Sequence, residues 1–370
     1  MKFTNVTAFP ATWTMGFQRD GRELLVAIVK ATFRMPSGQG EAATVHDEQQ
    51  SLVRADEFVD EPGLSAPLRE TDFAHMKPAC DVLLLGHARA PGGGMARRLV
   101  AGLRVGTMSK QFTVVGDRQW RKSLLGIVSA SEAVPFAAMS VGYERAFGGI
   151  DNTTLARTGR ADTFIANPAG RGYWRHTDHI DGQPLPNTEE TARPVSQHDG
   201  DYRPMALTPV GRHWAPRHRY AGTYDDRWLD EQAPFWPDDF DERYFQAAPA
   251  DQVIAHPQGG EEVVLQHLTA DGLRAFQLPR LAMPVTFVPH RGRDVTRDAV
   301  LDTIVLEPDQ ERFTLTWRAS IALGKSVFDV KETITGEMTQ AWHRARRFPD
   351  KTYHRSLADA VAAKRARARR

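Results

Sequence analysis

The stretch RRLVAGLRVG, residues 97–106, sets Leu99, Ala101, Leu103 and Val105 at every second position. Period two is the side-chain spacing of an extended strand, whose successive residues point to opposite faces. An apolar set at that spacing predicts a strand with one face turned into a core. KQFTVVGDRQW (110–120) repeats the pattern through Phe112 and Val114, and Gly116-Asp117 supplies a turn before Trp120. Just upstream, DVLLLGHARAP (81–91) is a short apolar run closed by Gly and Pro. Residues 80–130 therefore read as a meander of hairpins with one buried face.

The texture recurs towards both ends. In QRDGRELLVAIVKATFRM (18–35), Asp20-Gly21 marks a turn ahead of a run rich in β-branched residues. EEVVLQHLTADGLRAFQLP (261–279) reads strand, Asp271-Gly272 turn, strand, and LDTIVLEPD (301–309) and RFTLTWRASIAL (312–323) follow in kind. Leu99, Leu103, Val105, Phe112, Val114, Leu315 and Trp317 are expected in the core, on the inward face of alternating strands.

Between 150 and 250 Pro, Gly, Asn, Asp and His are dense, and Pro breaks both ladders and helices. Aromatics are dense there too, including Tyr173, Trp174, Tyr202, Trp214, Trp228, Trp236 and Phe240. A disordered linker is poor in aromatics, so ordered loops and short helices packed over a sheet are expected. The fold class is mainly β: antiparallel meander or sandwich-like sheets, long irregular aromatic loops and a partly helical basic C-terminal tail. The segments are a β-rich half over 1–150, the irregular middle over 151–250, a second β-rich half over 251–335 and the tail over 336–370. Residues 1–335 also admit a reading as one integrated domain.

Charge selects no polyanionic partner, since 47 Lys and Arg face 46 Asp and Glu in 370 residues. The one obvious basic run is AAKRARARR (362–370), so no nucleic-acid partner is expected. The single cysteine, Cys80, excludes an intrachain disulfide and fits a reducing compartment. The longest apolar runs, such as LLVAIV (24–29), fall far short of the roughly 20 residues that span a bilayer. With no secretory core at the N-terminus, a cytoplasmic protein without a membrane partner is expected.

Chemistry-bearing motifs are sparse. The chain has no G-x-S-x-G elbow. Cys80 adjoins an apolar run, where a thiol is usually a small buried hydrophobe. PGGGMARRL (91–99) runs into a strand, so the helix N-terminus of a phosphate cradle is missing. RHTDHID (175–181) offers His176, Asp178 and His179 as metal ligands of suitable type, at a spacing that matches no established motif. No catalytic residue and no cofactor is assigned. The alternative that these ligands keep open is a metal-dependent or other hydrolase acting on the cell envelope.

VGYERAFGGID (141–151) crowds charged, aromatic and glycine residues, and NPAGRGYW (167–174) follows. Arg145 there can fork to a carboxylate or to carbonyls of the second loop, or it can meet a partner. YDDRWLDEQAPFWPDDFDERYFQAAPADQ (224–252) sets large aromatics among acids, with prolines that limit its freedom. Such composition is found in protein-binding hot spots, although aromatics that seal a sheet would look the same. The partner-binding candidates are Tyr143, Arg145, Arg171, Trp228, Trp236, Asp239 and Phe240.

Those stretches, with DFAHMKPACDVLLLGHARAPGG (72–93), VVGDRQW (114–120) and LPNTE (185–189), fall in an order that resembles the DUF2169 family over about residues 15–330. The resemblance implies a bacterial accessory protein of type VI secretion systems. Such a protein is an adaptor or chaperone that binds a toxic effector and helps load it onto the spike and its PAAR-type tip. It carries over no catalytic residues.

Overall fold

A computed structural model describes residues 1–38, 41–324, 326–347 and 357–367. Three sheets carry the fold. The largest has six strands in the order Val253–Ile254, Cys80–Leu84, Val300–Glu307, Arg312–Ala322, Glu23–Arg34 and Ala11–Phe17. A five-stranded sheet runs Thr188–Glu189, Met108–Val115, Arg98–Val105, Glu262–Gln266 and Leu273–Gln277. A four-stranded sheet holds Lys2–Asn5, Val330–Thr335, Pro284–Pro289 and Val295–Asp298.

The larger two sheets share one core, as in a sandwich. Val29, Ala31, Phe33, Leu315 and Trp317 of the first meet Leu99, Leu103, Val105, Phe112 and Val114 of the second in a single buried cluster. All seven side chains expected inside are buried. Each large side chain so removed from water contributes roughly 1.5–3 kcal/mol before entropy is counted. Phe33 stacks on Phe313 with ring centroids 5.4 Å apart. Glu23–Arg34 is buried on both faces, because Leu24, Val26 and Ile28 pack beneath Leu52 and Phe73 on the side away from that core.

The hairpins at Asp20-Gly21 and Asp271-Gly272 form as expected. The meander over 80–130 does not. Cys80–Leu84 belongs to the six-stranded sheet, parallel to Val300–Glu307, while Arg98–Val105 and Met108–Val115 pair in the other sheet. The local pattern fixes which face of a strand is buried, but not which distant strand it pairs with. Both β-rich halves contribute strands to the six- and five-stranded sheets.

The middle is irregular, with short helices at Ala215–His218 and Asp226–Glu231. In the tail, Gln340–Arg347 and Leu357–Arg367 are helical. Residues 348–356 and 368–370 of the expected tail lie outside the described residues. Among the described residues no helix is long and apolar enough to cross a membrane.

Candidate functional site

The motifs between residues 114 and 189 meet in one knot. Tyr143–Arg145 makes a single 3-10 turn, and Phe147–Gly148 leaves it to pair in parallel with Arg171–Gly172. Gly148 has φ 150°, and a Cβ there would lie 2.1 Å from the carbonyl oxygen of Asn167. Buried Asn167 donates through Nδ2 to the carbonyls of Tyr143 (2.9 Å) and Phe147 (3.1 Å). Arg171 Nε donates to the Glu144 carbonyl at 2.7 Å. Arg145 Nη1 donates to Asn187 Oδ1 at 3.2 Å and reaches Asp117 Oδ1 at 3.4 Å. Asn187 Nδ2 in turn donates to Asp117 Oδ1 at 2.9 Å. Arg145 thus finds its side-chain partners in VVGDRQW and LPNTE, while Asn167 and Arg171 tie the NPAGRGY loop to this turn.

Tyr143 sits between this knot and a cleft. The cleft is a cavity of about 440 Å³ walled by Pro204, Val210, Pro216, Ala248, Pro249 and Val253. Its polar lining is Tyr143, Tyr220, Gln246, Lys110, Asp251 and four arginines, Arg203, Arg217, Arg219 and Arg243. Lys110 is buried, and its Nζ donates to Gln252 Oε1 at 2.8 Å and to Asp251 Oδ1 at 3.1 Å. Burial pushes its pKa down to about 8 in spite of Asp251. Arg203 Nη2 shares the same carboxylate, 3.3 Å from Asp251 Oδ2. Arg217 is paired with Glu70, and Arg243 with Asp241. Arg219 donates to the Tyr220 hydroxyl at 2.8 Å and makes no ion pair among the described residues.

The Tyr143 ring is buried edge-on against Trp214, centroids 5.2 Å apart. The residue lines the cavity, and its hydroxyl makes no hydrogen bond among the described residues. Burial raises its pKa, so the phenol stays protonated and can donate.

The segment behind the cleft is held by Asp81. Its carboxylate accepts from Gln246 Nε2 (2.6 Å), Ala247 N (2.8 Å), Ala248 N (3.1 Å) and Lys77 Nζ (2.6 Å). Next to it, buried Asp302 pairs with Arg318, and Lys30 with Asp72 at 2.9 Å.

The aromatic, acidic stretch divides into two parts. Phe240 is buried and stacks on half-buried Trp236 at 4.3 Å, and Trp236 packs on His75 and Phe245. Arg19 donates to the Phe240 carbonyl, which ties this part to the end of the Ala11–Phe17 strand. The part before it faces solvent. Asp225 caps the helix Asp226–Glu231 by accepting from Trp228 N at 2.9 Å. Tyr224, Leu229 and Phe235 are 52%, 62% and 41% exposed around half-buried Trp228. Asp225, Asp226, Asp230, Glu231 and Asp238 are interspersed with them along the chain, all exposed, and Glu231 pairs with Arg227 at 3.0 Å. Asp239 accepts from Thr223 N and Oγ1 at 2.9 and 2.7 Å and holds the loop closed.

Of the seven partner candidates, Tyr143 and Phe240 are buried, Arg145, Arg171, Trp228 and Trp236 are half-buried, and Asp239 is exposed. His176 Nε2 lies 3.2 Å from Asp162 Oδ2, whereas Asp178 and His179 are exposed. Among the described residues no three His, Cys, Asp or Glu side chains converge as a metal site. Cys80 is buried in its strand, and burial raises its thiol pKa far above the usual value.

Lys110, Arg203, Arg219 and Asp251 were not singled out from sequence. One signal was present. Lys110 stands in phase with Met108, Phe112 and Val114, at an inward position of its strand. A charged residue on the buried face of an alternating strand requires a partner or a cavity.

Residues 20–318 match the model of one family, DUF2169, described as an uncharacterized protein conserved in bacteria. No curated protein and no solved structure matches the chain.

Proposed function

The chain belongs to the DUF2169 family, and from that premise we propose that it is an adaptor of a bacterial type VI secretion system. It binds a toxic effector and helps load it onto the spike and its PAAR-type tip. The observation that carries the reading is the solvent-facing segment of Tyr224, Trp228, Leu229 and Phe235, interspersed with exposed acids. Apolar and aromatic centres with polar rims are the anatomy of protein interfaces. The patch is also presented on a firm base. Trp228 Nε1 donates to the Phe235 carbonyl at 2.8 Å, Tyr224 packs edge-on against Trp228 at 4.7 Å, and Phe235 rests on Phe17. A preorganised surface loses less entropy on association.

The test is co-expression of the chain with the products of its neighbouring genes, followed by size-exclusion chromatography. An adaptor co-elutes with a toxin or a spike-tip protein. Separate elution from every one of them contradicts the reading.

A further inference from the structure

We propose that the cleft between Tyr143 and Asp251 is a binding pocket for a carboxylate carried on an apolar stem. The proposal goes beyond the adaptor reading and does not depend on it.

Three features of the cavity point to this chemistry. First, its cations outnumber its acids: Lys110, Arg203, Arg217, Arg219 and Arg243 line it together with the single carboxylate of Asp251. Glu70, Asp241 and Glu190 pair with Arg217, Arg243 and Arg203 from outside the lining, and Asp251 is divided between Lys110 and Arg203. Arg219 is left without a carboxylate among the described residues. Second, Tyr143 is more than nine-tenths buried and lines the cavity, and its hydroxyl makes no hydrogen bond among the described residues. The hydroxyl keeps access to solvent through the cavity, so an arriving oxygen exchanges with water there. Third, apart from Gln246 and Tyr220 the remaining wall is proline, alanine and valine, which suits an aliphatic or aromatic stem better than a hydrated ion.

The charge on the ligand is also bounded. Asp251 on the same wall repels a second negative charge, so a carboxylate fits where a phosphate does not. Lys110 Nζ spends two of its three donors, on Asp251 and Gln252. The third is available to a ligand oxygen, with Tyr143 and Arg219 as the other donors. Asp251 and Arg203 are the charged groups that act on Lys110, and Tyr143 faces the same cavity.

The chemistry is shared by a small organic acid and by the end of a polypeptide chain, and the probes separate them. The full chain is titrated calorimetrically with N-acetyl-leucine, N-acetyl-leucinamide, acetyl-Ala-Ala-Leu with a free carboxylate, and inorganic phosphate. The expected result is saturable binding of the free acids, with the amide at least ~10-fold weaker because a charge-assisted hydrogen bond is lost. Tighter binding of the peptide assigns the pocket to a chain end, and equal binding assigns it to a small acid; both support the proposal. Lys110→Met and Arg219→Ala are each expected to weaken binding about tenfold, and Tyr143→Phe severalfold, with the ring and the fold retained. Affinity is expected to fall between pH 7 and pH 9.5 in the wild type as Lys110 loses its proton, and to stay flat in Lys110→Met. Equal affinity for acid and amide, preference for phosphate, no binding of any probe, or folded variants that bind like the wild type would overturn the proposal.

Discussion

Lys77 Nζ lies 2.6 Å from Asp81 Oδ2, with both side chains buried, and the same carboxylate holds the backbone N–H groups of Ala247 and Ala248. One short motif in the first third of the chain therefore anchors a segment more than 160 residues downstream. Removing Asp81 leaves buried Lys77 without its direct partner, its charge offset only by Asp302 and Glu70. Asp81→Ala is expected to cost about 3–5 kcal/mol in urea unfolding. It should also free the segment 246–248, measured as faster amide exchange at Ala247 and Ala248. Unchanged exchange there would refute the anchoring role.

Gly148→Ala tests the knot. Its Cβ would meet the Asn167 carbonyl, a backbone atom with nowhere to move, at a φ that L-residues rarely adopt. The expected loss exceeds about 2 kcal/mol. Gly63→Ala is the control: it also has positive φ, but it has open space around it, and only the left-handed backbone cost of about 1 kcal/mol is expected. Equal losses would mean that the close approach carries no energy.

His75 gives the fold an acid sensitivity. Its ring covers Gly16 and packs on Trp236 and Phe245. Burial, with a smaller contribution from Arg318, holds its pKa below the usual 6.5. The unfolded chain then binds the proton first, so stability is full above pH 6.5 and declines as pH falls towards the folded-state value. The urea midpoint should drop between pH 7 and pH 5 more steeply in the wild type than in His75→Phe. Parallel profiles would exclude His75 as the source.

Lys110 carries the opposite kind of information. Its pKa of about 8 lies below the ordinary 10.5, so the charged form is disfavoured in the fold and stability rises as pH climbs from 8 towards 10.5. Lys110→Met removes the cost of burying the ammonium but leaves buried Gln252 Oε1 without its donor, so a net change within about 2 kcal/mol at pH 7 is expected. A large loss of stability would mean that the lysine is structural and that the cleft is built around its contact with Gln252.

The sandwich was legible because its strands alternate cleanly. Leu99, Leu103, Val105, Phe112 and Val114 define one face without reference to any other part of the chain. The pairing of Cys80–Leu84 with Val300–Glu307 was not legible, since nothing local encodes a partner some 220 residues away. The site followed the same division. The aromatic, acidic stretch stood out by composition, but composition did not separate buried Phe240 from exposed Leu229. The cleft was hidden because its polar lining comes from the Met108–Val115 strand, the turn at Tyr143 and the segments around 203, 219 and 251, which only the fold brings together. Its one trace was Lys110, a charge in step with apolar neighbours.

The adaptor reading is tested most directly at Leu229, which is exposed on the capped helix and free to change without disturbing the core. Leu229→Asp is co-expressed with the effector candidates encoded beside the chain, and complex formation is measured by size-exclusion chromatography next to circular dichroism. The account predicts a variant with wild-type dichroism and melting temperature that no longer co-elutes with the effector that the wild type retains. A folded variant that still carries that effector at wild-type stoichiometry would contradict it.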